Sequence, residues 1–323
     1  MRLITLFGLL FCTALSAARG NEADLGTPLL FTVPMDGRIA IEIARQPVSL
    51  YSAPGMPNML SISKAFATRS FGIEIANMRG DDRKIWQRIG PVEVAGRARQ
   101  ALVSGPGMSG LGGQIVADVS WFETDTYDFA DALAGPYALP YPVVRYQLQL
   151  PKPGEVEFSL PLAPSSRWWI AATPLSVGKQ TVYLAFAPHF KTSVASTGAG
   201  AVISALHDGQ FSGTASPVII SHNVQRPARR VLFGQPLRLG GLSLPSLLVR
   251  TRDYGSSGSI FDPAEASGAT AAKGDSILVK AKRTSSRAIY VVYVGADALS
   301  GCSSITYNKA AQTITLRCLP VST

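Results

Sequence analysis

The stretch that decides the fold runs from Val48 to Ser63 and reads VSLYSAPGMPNMLSIS. It joins an alternating, strand-like segment, the turn Ala53-Pro54-Gly55 and a second apolar run. The other half of the chain repeats this plan in VASTGAGAVIS (Val194–Ser204), with its turn at Ser196-Thr197-Gly198. Proline and glycine are typical of turns, and alternation is typical of half-buried strands. The two stretches predict two β-rich halves built on one plan.

Composition supports a mainly-β fold with few short helices. The 323 residues include 30 Gly and 22 Pro, and 46% are hydrophobic whereas 16% are charged. Short apolar runs recur between turn signals, and Val144–Leu150 alternates residue by residue. Helical patterns are confined to Ser61–Ser70 and Ala296–Gly301. We therefore expect a folded β protein, and we exclude a disordered chain and a βαβ fold.

Residues 1–18 have the features of a secretory signal peptide. Arg2 is followed by an apolar stretch from Leu3 to Leu15 and by the small residues Ser16-Ala17-Ala18. The alternative is a buried strand or a membrane anchor, but this stretch is short for a bilayer span. No later stretch has the length of a span. We expect a secreted, extracellular protein without a membrane span.

The domain organisation follows from length and from one Pro-rich segment. A chain of about 300 residues suits two packed lobes better than one core. Two prolines and a glycine in Leu150–Gly154 interrupt strand pairing on both sides. We predict an N-terminal β lobe over residues 19–150 and a C-terminal β lobe over residues 151–323.

Charge and histidine content limit the possible partners and cofactors. The formal net charge is +9, but the basic clusters Arg226–Arg230 and Lys280–Arg287 lack the interleaved aromatic residues of a nucleic-acid groove. We interpret them as solvated surface and expect no nucleic acid partner. His189, His207 and His222 have no cysteine or acid at metal-ligand spacing. We therefore expect no metal and no cofactor.

Cysteine usage predicts one disulfide. Cys12 lies in the signal segment, which leaves Cys302 and Cys318 in the last strands. Pairing them places Tyr307 opposite Thr313 and leaves residues 308–312 as a hairpin turn. The bond is expected in an oxidising compartment. Two free thiols are the alternative.

Together these features resemble the pepsin-like aspartic peptidases, and the resemblance covers most of the chain after residue 18. Val48–Ser63 is similar to the first active-site segment of the family, a strand followed by D-T-G-S-S-N-L-W, and Val194–Ser204 is similar to the second. Ser104–Val119 resembles the flap hairpin, and Asp131–Gly135 resembles the D-G-I-L-G motif. Tyr293–Cys318 resembles the closing strand, helix and hairpin. The resemblance implies a bilobal, pseudo-twofold acid-protease fold.

The resemblance also locates the catalytic turns, and neither contains an aspartate. In Ala53-Pro54-Gly55 the alanine is at the Asp position, and in Ser196-Thr197-Gly198 the serine is at the second Asp position. Ser104 falls where the family has its flap tyrosine. Aspartic proteolysis needs two carboxylates that share one proton. The resemblance therefore implies a pseudoenzyme with no catalytic residue.

Three functions remain open at the level of sequence. The leading hypothesis is a secreted pseudo-peptidase that binds an extracellular peptide, protein or glycan in the cleft between its lobes. A structural or assembly component, such as a coat, wall or virion-surface protein, is the alternative. A residual aspartic-type endopeptidase is less favoured, since both acids are replaced. The cleft discriminates between the first two, because a cleft filled by the unmatched region Gly209–Gly274 favours a structural role.

Overall fold

The computed structural model describes residues 29–71, 83–89, 92–106, 113–127, 129–164, 170–253 and 290–320. The expected signal peptide and the basic cluster 280–287 lie outside these residues. Within them the chain is mainly β with three short helices, which confirms the predicted fold class at this level. None of the three helices has the length and apolar character needed to cross a lipid bilayer.

The first seven-stranded sheet is built from residues 38–134. It has the spatial order β2-β3-β8-β4-β7-β6-β5. The alternating sequence of β2 buries Ile39, Ile41 and Ile43 and exposes the residues between them. A helix follows β4. The bounds are β2 (Arg38–Ile43), β3 (Gln46–Ser52), β4 (Leu60–Ile62), α1 (Lys64–Phe71), β5 (Arg83–Ile89), β6 (Val92–Ser104), β7 (Gln114–Phe122) and β8 (Ala132–Ala134).

The second seven-stranded sheet is built from residues 173–294. Its spatial order is β11-β12-β17-β13-β16-β15-β14. The last described strand in this order, β14, has a register shift between Ser212 and Ser216 and contains Pro217. The bounds are β11 (Thr173–Val177), β12 (Gln180–Phe186), β13 (Val194–Ala195), α2 (Thr197–Leu206), β14 (Gly209–Ser221), β15 (Val224–Leu239), β16 (Leu242–Arg250) and β17 (Val291–Val294).

The two sheets have the same topology. Adding nine to each strand number of the first sheet gives the order of the second. Every pairing between neighbours in this order also keeps its direction, so that β3 is parallel to β8 as β12 is to β17, and β4 is parallel to β7 as β13 is to β16. A helix follows β4 and another follows β13. The chain is therefore an internal duplication at the level of strand pairing.

A third, five-stranded sheet takes strands from both halves. Its order is β1-β9-β18-β19-β10, in which β1 and β9 belong to the first half. One hydrophobic core cluster contains side chains from all three sheets, including Val33 of β1, Ile41 of β2 and Val182 of β12. The bounds are β1 (Leu30–Val33), β9 (Val143–Gln147), β10 (Val156–Pro161), β18 (Cys302–Asn308) and β19 (Thr313–Cys318), and the short helix α3 (Ala296–Leu299) precedes β18.

The predicted disulfide is confirmed, and the predicted hairpin register is corrected. Cys302 and Cys318 are bonded and almost fully buried. Tyr307 lies opposite Ile314, because an irregularity between Cys302 and Ser304 inserts one extra residue into β18. Such a bulge shifts every later pair by one position. The turn is therefore one residue shorter than expected.

Candidate functional site at the paired Ala-Pro turns

The turn Ala53-Pro54-Gly55 follows the last residue of β3. The Ala53 N–H donates to the Ala134 carbonyl at 3.3 Å, and the Met56 N–H donates to the Ala53 carbonyl at 3.0 Å. Ala53 is 3% exposed. Its methyl group packs with Met56 and Leu133, so the position of the expected acid is an apolar site.

The same turn occurs in the second half at Ala187-Pro188-His189, directly after β12. The Ala187 N–H donates to the Val294 carbonyl at 2.8 Å, and the Phe190 N–H donates to the Ala187 carbonyl at 2.9 Å. These bonds reproduce those of the first turn, since Ala134 and Val294 end equivalent strands. Ala187 is fully buried. The internal counterpart of Ala53 is therefore Ala187.

This finding corrects the pairing of Ala53-Pro54-Gly55 with Ser196-Thr197-Gly198. Ser196 follows β13 and is the N-cap of α2, where its Oγ accepts a hydrogen bond from the Ala199 N–H at 3.3 Å. Its counterpart is Ser63, which follows β4 and accepts a hydrogen bond from the Phe66 N–H at 3.1 Å. Serine is a preferred residue at this position. The pattern S-T-G belongs to a helix start rather than to a second catalytic-type turn.

The other two residues of that segment have local structural roles. The Thr197 Oγ1 donates to the Arg250 carbonyl at 2.7 Å, and its N–H faces the Asp253 carboxylate at 3.1 Å. Gly198 is buried in the first turn of α2. A carboxylate at a helix N-terminus is stabilised by the unpaired N–H groups there. These contacts anchor α2 and offer no reactive group.

The two Ala-Pro turns touch each other across the halves. A Cβ atom built on Gly55 would lie 2.7 Å from the Ala187 Cβ and 3.0 Å from the His189 Cε1. An isolated backbone bridge between Pro57 and Ile170 joins the halves beside this contact. Only glycine fits at such a close approach. The contact therefore places the two turns face to face without a carboxylate in either.

Aromatic side chains cover the turn pair. The rings of Tyr127 and His189 lie 5.4 Å apart, and Phe129 contacts both Tyr127 and Tyr51. Burial raises the pKa of Tyr127. Its hydroxyl stays neutral and donates to the Ile220 carbonyl at 3.1 Å. The region has the character of a packed apolar cluster.

His189 is the unusual member of this cluster. Both of its ring nitrogens are buried, and neither has a hydrogen-bond partner in the described part of the chain. Burial lowers the pKa of His189 to about 4, because the charged imidazolium loses its hydration. The ring is therefore neutral at physiological pH and contributes packing rather than charge.

A hairpin from the second half closes over the first half. At its tip the His222 N–H donates to the Thr126 carbonyl at 2.9 Å, and Nδ1 donates to the Thr124 carbonyl at 2.7 Å. The His222 Nε2 lies 2.5 Å from the Gln87 Oε1. Ile220 and Val224 pack with Val94 and Phe122 of the first sheet. The hairpin β14–β15 therefore spans the two halves.

Burial also controls the ionisation of this histidine. It lowers the pKa of His222, and the bond to the Thr124 carbonyl and the nearby Asp125 carboxylate partly oppose the effect. Because Nδ1 must donate to the Thr124 carbonyl, a neutral His222 pairs with Gln87 only when the Gln87 amide is turned so that its N–H faces Nε2.

Ser104 is at the end of β6 and pairs with Gln114. Its Oγ donates to the Glu42 carboxylate at 3.2 Å. The tip of this hairpin, residues 107–112, lies outside the described residues. The contacts that the structure gives Ser104 thus tie the hairpin to β2 and do not bring it to the turn pair.

A cavity of about 310 Å³ opens beside the paired turns. Its lining includes Ala53, Pro54 and Pro188 of the turns, together with Gln147, the last residue of β9, and Gln149. None of the sixteen lining residues is Asp, Glu, Lys, Arg or His. The described part of the chain also contains no group of three His, Cys, Asp or Glu that could hold a metal ion.

Sequence reasoning missed the second turn and the cavity. The missed signal is a repeated Ala-Pro dipeptide, at residues 53–54 and 187–188, each directly after a strand. No signal in the sequence brings Gln147 and Gln149 to the turns, because the five-stranded sheet places them there. In comparisons with known proteins, no family model and no curated protein matches this chain.

Proposed function

We propose that this protein is an exported, non-catalytic relative of the pepsin-like aspartic peptidases that binds an extracellular peptide, protein or glycan. The observation that carries the proposal is the contact between two equivalent Ala-Pro turns. The duplicated strand pairing supports it, because the family builds a pseudo-twofold fold from two such halves. The buried disulfide is compatible with an oxidising compartment.

The absence of acids at the turns supports a role without catalysis. Aspartic proteolysis uses one ionised and one protonated carboxyl group to activate water and to polarise the scissile carbonyl. Ala53 and Ala187 offer methyl groups at 3% and 0% exposure. No proton can be held or transferred at either position. We therefore assign binding to the cavity beside the turns.

A peptidase assay tests the catalytic part of this proposal. Purified protein is incubated with an unfolded protein substrate from acidic to neutral pH, with and without pepstatin. We expect no pepstatin-sensitive cleavage at any pH. Acid-dependent cleavage that pepstatin abolishes would show that carboxylates from elsewhere reach the turns, and it would overturn the proposal.

Affinity capture tests the binding part. The protein is immobilised and exposed to its native extracellular fluid, alongside the Met35→Trp variant at the cavity rim and the Val116→Trp variant on an exposed face of β7. Both residues are exposed, at 56% and 64%, so the same new side chain is tolerated at each. We expect capture that Met35→Trp removes and Val116→Trp leaves intact. Equal capture by both variants would exclude the cavity.

The β14–β15 hairpin favours a second candidate, a structural or assembly component. Its tip packs against Val94 and Phe122 of the first half, and it comes from the region Gly209–Gly274, which would favour a structural role by filling the cleft. This candidate predicts concentration-dependent self-association, which light scattering measures. A monomer at all concentrations, together with cavity-dependent capture, would favour the binding function.

A further inference from the structure

The cavity beside the Ala-Pro turns has a hydrogen-bonding pattern that selects its ligand. Gln147 directs its Nε2 to the carbonyls of Gln149 and Ser303. Gln149 directs its Nε2 to the carbonyls of Ser300 and Cys302 at 2.8 and 3.0 Å. Because all four partners are acceptors, the amide N–H₂ groups must face them. Each Oε1 is therefore left as an acceptor, and no described donor reaches it.

Most hydroxyl groups in the cavity lining already donate their hydrogen bonds to other protein atoms. The Ser52 Oγ donates to the Ala134 carbonyl at 2.9 Å. A serine hydroxyl has one proton, so the Tyr146 hydroxyl must donate in the 3.1 Å contact between them. The Ser300 Oγ donates to the Asp297 carbonyl. The Tyr51 hydroxyl is the one side-chain donor of the lining without a partner in the described residues. The cavity therefore offers more acceptors than donors.

The charge of the lining excludes ionic ligands. An anion would find no cationic side chain, and a cation would find no carboxylate. Transfer of an unpaired charge into such a site is unfavourable. The formal net charge of +9 adds repulsion against a cation. The ligand must therefore be neutral and must bring its own donors.

A neutral ligand can donate hydrogen bonds from hydroxyl groups or from amide groups. The cavity lining suits a ligand with hydroxyl groups better than one with amide groups. A peptide backbone brings one carbonyl for every N–H, and its carbonyls would remain unpaired where the donors are committed. A sugar hydroxyl rotates and can donate to either glutamine oxygen. The rings of Pro34, Pro54 and Pro188 offer apolar walls to the C–H faces of a sugar. A volume of about 310 Å³ is at the lower end for small-molecule sites.

We infer that this cavity binds one or two units of a neutral glycan, with the Oε1 atoms of Gln147 and Gln149 accepting hydrogen bonds from sugar hydroxyls. The inference rests on the proposed binding function and narrows its partner to one chemical class. The inference depends on the binding role in that proposal and not on the resemblance to the aspartic peptidases.

A panel of neutral oligosaccharides tests this inference by saturation-transfer NMR on the whole purified protein. Short β-linked and α-linked glucose, mannose and N-acetylglucosamine oligomers are the probes, and an uncharged polar peptide is the comparison. We expect at least one oligosaccharide to bind, with an affinity that changes little with added salt, because no ion pair forms. Met35→Trp should weaken binding by more than about tenfold by filling the cavity mouth, whereas Val116→Trp should leave it unchanged.

Other outcomes would overturn the inference. If no oligosaccharide binds while the peptide does, the ligand class is wrong, although cavity-dependent partner capture would still support the proposed function. Binding that is equal in Met35→Trp and Val116→Trp would place the sugar elsewhere. A second variant, Gln149→Leu, removes one acceptor and should weaken binding by about tenfold. Thermal unfolding of each variant checks that the fold is retained.

Discussion

At the scale of single residues, Gly55 decides how closely the halves can approach. A Cβ at this position would lie 2.7 Å from the Ala187 Cβ and 3.0 Å from its Cα. Gly55→Ala must push the turns apart, and we expect a loss of about 1–3 kcal/mol in the free energy of unfolding. Urea denaturation measures it. Gly301→Ala is the control, since no atom lies within 4 Å of its Cβ position; an equal loss in both variants would contradict the contact.

His189 makes stability depend on pH. Its folded pKa of about 4 lies below the usual value of 6.5, so the unfolded chain binds the proton first as pH falls. The stability is complete above pH 6.5 and is lost between pH 6.5 and about 4, by about 3 kcal/mol at most. His189→Phe should reduce this dependence in urea titrations at pH 7 and pH 4.5, and His222, whose pKa burial also lowers, should account for part of what remains. Val116→Phe, at an exposed apolar position, should keep the wild-type slope; a reduced slope in this control would show that the change does not come from His189.

Residue types alone could locate the first turn but not its partner. Ala53-Pro54-Gly55 is evident because a strand, a proline and a glycine follow one another. Ala187-Pro188-His189 lacks the glycine, and S-T-G at residues 196–198 imitates the family motif more closely. Only strand pairing shows that Ser196 caps a helix, since β13 is two residues long. Propensity cannot resolve so short an element, because tertiary contacts define it.

At the scale of elements, the disulfide cross-links the hairpin β18–β19 in the five-stranded sheet. Both sulfur-bearing residues are buried, at 0% and 1% exposure. Cys302→Ala/Cys318→Ala removes the cross-link from the unfolded chain and should reduce stability by about 3 kcal/mol. Denaturant midpoints with and without reductant measure the effect. The double variant should not respond to reductant; a response would indicate that reductant acts through another group.

The hairpin β14–β15 is held by a side-chain pair that can be measured directly. His222 and Gln87 belong to different halves and contact each other through the imidazole Nε2. In a double-mutant cycle of His222→Asn and Gln87→Ala we expect a coupling free energy of about 1 kcal/mol. Asparagine is chosen because the φ of residue 222 is +50°. Strict additivity of the two changes would show that the pair does not interact.

Sequence reasoning identified several strands of the two seven-stranded sheets but left the region of this hairpin unplaced. The region after Gly209 alternates as strands do, yet nothing in it specifies packing against Val94 and Phe122 of the other half. The hairpin β18–β19 was identified with its disulfide, and only the bulge after Cys302 altered its register. Local patterns predict elements, whereas contacts between distant segments depend on the assembled core.

At the scale of the whole molecule, the five-stranded sheet makes the halves interdependent. The first half contributes only the parallel pair β1 and β9, and the second half contributes β10, β18 and β19. Neither the two strands of the first half nor the three strands of the second half make the complete sheet alone. We expect one cooperative unfolding transition for the full chain, with equal calorimetric and van't Hoff enthalpies.

Separate fragments provide the matching control. Residues 29–150 and 151–320, produced apart, should not give the sharp thermal transition of the intact chain, because each exposes one side of the shared sheet. Independent transitions in both fragments would show that the halves are autonomous domains. Calorimetry and circular dichroism distinguish the two results.

The interrupted strand β14 has a consequence for solubility. Among the described strands it is the outermost of its sheet, and a bulge between Ser212 and Ser216 bends it. Gly213 takes a φ of +71° in that bulge, and Pro217 has no N–H to offer. A strand from another molecule finds no continuous ladder here. The backbone thus protects this side of the protein against fibril growth, even at the high concentrations where open sheets aggregate.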